Sequence, residues 1–132
     1  MIYTSAIFGT LRLYTPVSDI IGKDIFPIDA PPEFPLPFAT YEVTGERVQR
    51  TKEGSAVQYV RIEVAGYEST FALCVTLGRA IKQAILKHAP GKVTDEGDII
   101  GSKFEGMEVE RIEDPEGFVC VCDFELMLTY ED

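Results

Sequence analysis

Two cysteines one residue apart, Cys120 and Cys122, stand beside Asp123 near the end of a 132-residue chain that has one further cysteine, Cys74, and a single histidine, His88. Thiolates, an imidazole and a carboxylate are the side chains from which a zinc site or a Cys-His nucleophile is built. The spacing argues for neither. In "FVCVCDFELMLTY", alternation places Phe118, Cys120, Cys122, Phe124, Leu126, Leu128 and Tyr130 on one face, and Val119, Val121, Asp123, Glu125, Met127 and Thr129 on the other. Both cysteines fall in the middle of an apolar face, where a free thiol behaves as a small hydrophobe. Cys74 lies in the apolar arc of a helix, and His88 at that helix's C-terminal end. The expectation is therefore three reduced core cysteines with no metal, no cofactor and no catalytic residue. Gly97, Gly101 and Gly106 precede no helix and make no phosphate loop.

The elements that carry these residues follow from periodicity. Ile2, Tyr3, Ala6, Ile7, Thr10, Leu13 and Tyr14 share a helical face that Pro16 limits. Five prolines between Pro27 and Pro37, interleaved with Phe26, Ile28, Phe34 and Leu36, predict an ordered extended segment over the core. "FATYEVTGERVQR" and "AVQYVRIEVAGY" flank "TKEGS" as a long hairpin, whose polar tip is expected to project and to be mobile. A helix is predicted from about Ser69 to His88, capped by Ser69 or Thr70 and buried along Leu73, Cys74, Leu77, Ala80, Ile81, Ala84 and Ile85. "SKFEGMEVERIE" and the final strand form a second hairpin about a turn at Asp114–Gly117. The predicted fold is a single α+β domain over residues 1–132. Its sheet is antiparallel and mostly hairpin-built, with the N-terminal helix and one long central helix packed on one face.

Charge narrows the function. The net charge is −10, which argues against wrapping DNA by neutralising phosphates. It is unevenly distributed: residues 47–92 carry eight basic and three acidic side chains, residues 93–132 two basic and thirteen acidic. A molecule with one basic and one acidic region complements a copy of itself placed head to tail. The expected subunit interface joins Arg47, Arg50 and Lys52 of one copy to Glu108 and Glu110 of the next. Phe71, Val75 and Leu86, outside the main helix arc, supply apolar contact. The N-terminus lacks the basic start of a signal peptide, and no apolar run reaches about 20 residues, so membrane partners are not expected.

The order of elements, with "PPEFPLPFATYEVTG", "YVRIEVAGYESTFALCVTLGRAIKQAIL" and "DPEGFVCVCDFELML", resembles the small tail-completion proteins (tail-terminator, neck-type) of long-tailed bacteriophages and prophages. The resemblance covers nearly the whole chain in layout. It implies a structural, non-enzymatic protein that forms a ring, commonly of six copies, on the end of the tail tube. Its partners would be itself, the tube protein and the head connector, with DNA passing unbound through the lumen. It implies residence in the host cytoplasm during assembly and in the virion tail thereafter. The alternative from a different class is a small ligand-binding module or enzyme of an unrelated α+β family, with a pocket between the sheet and the proline-rich segment.

Overall fold

The computed structural model describes residues 3–50, 56–94, 97–113 and 116–129. The elements are α1 (Tyr3–Leu13), α2 (Thr15–Ile21), β1 (Ile25–Pro27), β2 (Phe38–Arg50), β3 (Ala56–Glu68), α3 (Phe71–His88), β4 (Val93–Thr94), β5 (Gly97–Glu113) and β6 (Glu116–Thr129). Six strands form one sheet in the order β1-β2-β3-β6-β5-β4. The four long central strands are antiparallel to one another, with the two predicted hairpins among them. The edge differs: β1 runs parallel to β2, so the sheet is mixed rather than antiparallel throughout. The cause is the proline-rich loop, which returns the chain to the end of the sheet where β1 began. Asp24 accepts from the Ala39 amide at 3.0 Å, and Tyr41 from the Ile28 amide at 2.9 Å.

The helix arrangement also departs from the expected pair. Three helices stand among the described residues. Pro16 does end α1, but it then sits in the first turn of α2, where a missing N–H costs nothing. Leu13, expected on the buried face, is 74% exposed, whereas Leu11 is fully buried beside Ile7. The turn at Tyr14 stops α1 one residue later and leaves Leu13 at a free end. α1 and α2 both pack on α3, and α1 also touches β1 and β4, the two edge strands. The sheet therefore curls about the helices.

α3 begins as its sequence requires: the Thr70 hydroxyl accepts from the Leu73 amide at 3.2 Å. It buries Cys74, Leu77, Gly78, Ala80, Ile81, Ala84 and Ile85. Leu73 is not among them and stays 48% exposed. Opposite α3, Val60, Ile62, Val64, Cys122, Phe124, Leu126 and Leu128 complete the core. The proline-rich segment is ordered and lies over the other, helix-free face. Phe26, Phe34 and Phe38 meet edge to face, and Phe38 stacks on Tyr67 at 4.5 Å.

The first hairpin is not free-standing. β3 pairs with β6 all the way to Val57–Thr129, so a third strand supports the length expected to project. Its "TKEGS" tip lies outside the described residues, as does the Asp114–Pro115 turn.

Candidate functional site

Cys74, Cys120 and Cys122 converge where α3 crosses β3 and β6. The Cys74 and Cys120 thiols both donate to the Gly66 carbonyl, at 3.7 and 3.4 Å. Cys122 donates to the Gly78 carbonyl at 3.8 Å. All three are free and fully buried. Burial, and then the neighbouring Cys120, push the Cys74 thiol up to about 12. Its hydrogen bond with Cys120, and then burial, push Cys122 up as well. Its hydrogen bond with Cys122 draws Cys120 down to about 7 against its own burial. Among the described residues no group of three or more His, Cys, Asp or Glu side chains has metal-holding geometry.

The reason for cysteine here is size. A Cβ added at Gly66 or at Gly78 would stand 3.0 Å from the Cys120 sulfur, so helix and sheet approach most closely over a small side chain. Two results are expected. A soluble alkylating reagent leaves all three thiols unmodified until the protein unfolds, and labelling of the native protein would contradict their burial. Cys122→Ala costs on the order of 1 kcal/mol in chemical denaturation and leaves the fold intact.

His88, the other candidate for chemistry, is exposed and stacks against Tyr14, ring centroids 5.0 Å apart. No thiol or carboxylate contact with it is seen among the described residues.

The charged interface residues lie on the sheet's edges. Arg47 lies on β2 with its guanidinium 4.0 Å from the Tyr59 ring centroid and 3.9 Å from the Glu125 carboxylate. A concavity of 280 Å³ opens between these groups and Arg61. Arg50 ends β2, and Lys52 lies outside the described residues. Glu108 and Glu110 are exposed on β5, across the sheet from β2. Within one molecule the two charge sets are therefore kept apart, on opposite sides of β3 and β6.

The apolar candidates do not gather. Phe71 opens α3, is 57% exposed and packs edge-on to Phe118 at 5.9 Å. Val75 is half-buried one turn on. Leu86 is half-buried and packs against the core. Val93, Ile100, Leu73 and Val48, at 78%, 50%, 48% and 43% exposure, are exposed apolar residues that are not among the interface candidates.

One arrangement on the helix-free face was not legible from residue types. Glu42, Glu63 and Asp123 are direct cross-strand partners in one row, and Glu105 lies at the β5 irregularity that follows. Only the strand registers reveal it. Burial first, then Asp123 and Glu42, raise the Glu63 pKa. A carboxyl held up in the folded state adds no penalty in acid, where folded and unfolded forms are both protonated. It weakens folding as pH rises through the raised value. Glu63→Gln is thus expected to raise Tm slightly at neutral pH, with the gain vanishing below about pH 4. A loss of Tm at neutral pH would contradict the repulsion.

The proline-rich segment and the sheet enclose an open concavity of about 590 Å³ between Pro31, Pro32, Phe34, Phe38, Tyr67 and Ile112. It is the place a ligand-binding reading would use.

Comparison with known proteins bears on the fold. No family model and no curated protein matches the sequence. Among solved structures the chain is similar to one from the virion of a native gene transfer agent particle. The two are 20% identical, the match covers 97% of this chain and 95% of that one, and the TM-score is 0.69. The architecture, edge to edge, is thus one that a virion component also uses. No helix among the described residues is long and apolar enough to cross a membrane.

Proposed function

We propose that this chain is a structural subunit of a phage-like particle, and within it a tail-completion protein that forms a ring on the end of the tail tube and joins it to the head connector. The observation that carries the reading is the full-length likeness to a chain of a gene transfer agent virion. The sequence resemblance to tail-terminator proteins narrows it to the tail end. The separation of Arg47 and Arg50 from Glu108 and Glu110 by the width of the sheet fits a head-to-tail ring, for which the family suggests six copies. On this reading the protein is not an enzyme and needs no cofactor. It assembles in the host cytoplasm, remains in the virion tail, and lets DNA pass through a lumen that does not bind it.

Arg47→Glu combined with Arg50→Glu tests the charge component. Exposed pairs contribute only about 0–1 kcal/mol each, so the variant should fold, with a small loss of Tm from the Tyr59 and Glu125 contacts of Arg47, and shift assembly to higher protein concentration in low salt. Unchanged assembly in low salt would remove these arginines from the interface.

A further inference from the structure

Edge strands expose unpaired N–H and C=O groups, and folded proteins commonly cover or blunt them. This sheet does so only in part, and differently on its two sides. On one side β1 pairs with β2 at Ala39–Tyr41 and goes no further, so no described strand pairs with the outer edge of β2 from Glu42 to Arg50. On the other side β4 pairs with β5 at Gly97–Asp98, and Gly91 and Lys92 bond Ile99. No described strand pairs with the outer edge of β5 from Ile100 to Glu113. The two covered stretches lie at opposite ends of the sheet, so each edge is a step.

We infer that a second copy of this chain is the missing partner, its β5 edge from Ser102 to Glu110 pairing antiparallel with the β2 edge from Glu42 to Arg50. This deepens the ring reading above and rests on it.

Direction favours the pairing. β2 and β5 run oppositely within one sheet. Setting them side by side with the helix layers on one side therefore gives an antiparallel ladder without inverting a subunit.

The steps set the register. With no offset, the end of β2 would strike the neighbour's β4 at Gly97–Ile99. An offset of four residues clears it and places the nine residues 42–50 of β2 against 102–110 of β5, with Arg111–Glu113 of β5 bending out past the neighbour's β1, which pairs at Ala39–Tyr41. Four residues are about 13 Å, across four strands of about 19 Å, a tilt near 35° of the kind closed sheets adopt.

Each of the two stretches has one irregularity, at Val43/Gly45 in β2 and at Phe104/Gly106 in β5. They fall at different levels of this register, so side chains share a face along the joint except at Gly45–Met107 and Glu46–Gly106 between them, where each pair contains a glycine. Val48 then lies opposite Phe104, and Val43 opposite Val109, on the helix side. Gln49 meets Lys103, and Arg47 meets Glu105, on the helix-free side. The exposed Val48 gains an apolar partner. Glu42 opposite Glu110 is the one like-charge pair the register carries. Pairing β5 with another β5 about a twofold axis would instead bring together two edges that each hold Glu105, Glu108 and Glu110.

The test is a cross-link between Gln49→Cys and Lys103→Cys, both exposed, in a protein whose own cysteines are buried. Mild oxidation of the double variant at rising concentration should give a ladder of covalent multimers ending in one closed species, while each single variant gives none. Arg47→Glu added to the double variant should slow cross-linking several-fold, and Glu105→Arg should restore it. Ready dimers from Gln49→Cys alone would mean twofold pairing of β2 and would overturn the proposal. A discrete multimer by native mass without the 49–103 cross-link would overturn the edge pairing and leave the ring reading standing. A monomer at every concentration with no cross-link would overturn both.

Discussion

Phe124→Ala is expected to lower stability by about 3–5 kcal/mol, the range for removing a buried aromatic ring. A domain of this size has a total of about 5–15 kcal/mol, so about a fifth of it or more depends on one side chain. Phe124 is fully buried, the largest side chain among the most deeply buried residues. It faces Ile62 on β3 and Phe104 on β5 as direct cross-strand partners. The Phe104 ring meets it at 5.6 Å between centroids, and the Lys82 ammonium of α3 lies 4.4 Å from the Phe104 ring centroid. The cavity would open beneath α3 between strands paired along both edges, where the backbone has little freedom to collapse. Urea unfolding monitored by circular dichroism measures the loss. A cost below about 1 kcal/mol would mean that β6 does not form the centre of the core.

Gly66→Val is expected to be nearly as severe, for the opposite reason. A Cβ there would lie 2.8 and 2.9 Å from Leu77 Cδ2 and Cγ and 3.0 Å from the Cys120 sulfur, before valine's two methyls are added. Leu77 is fixed by α3 and Cys120 by β6, so neither yields without moving the helix off the sheet. Overpacking of this kind costs about 1–3 kcal/mol, and the two methyls place this site at the upper end. Valine's preference for strands returns at most about 1 kcal/mol. Gly45→Val is the control: its Cβ would meet only Arg61 methylenes, at 3.8 and 3.9 Å. Loss of Tm at Gly66 with little change at Gly45 is the expected pattern. Equal tolerance at both would show that α3 does not sit on β3 at this distance.

The parts of this fold legible in the sequence are those whose periodicity is long and unbroken. The alternation in β6 placed Cys120, Cys122 and Phe124 on the buried face, and the helical arc from Cys74 to Ile85 placed α3 on that same core. The parts that escaped are short or depend on where the chain returns. β1 is three residues beside prolines, and its parallel pairing is set by the loop after it. α2 spans seven residues and starts at the proline that reads as a stop. Leu73 and Leu13 fit their helical phases, but each sits near an end where no neighbouring element reaches it. Of the site residues, the opposed signs of Arg47 and Glu108 were legible as charge segregation. Their places on opposite sheet edges, and the acidic row through Glu63, needed the strand order and register, which residue types alone do not specify.

The most direct measurement of the central claim is electron microscopy of the particles made when this chain is deleted in its native host. A tail-completion subunit predicts filled heads and separate tails that fail to join, with tubes of irregular length, and normal particles again when the chain is supplied in trans. Intact particles of normal tail length in the deletion would contradict a role at the end of the tail.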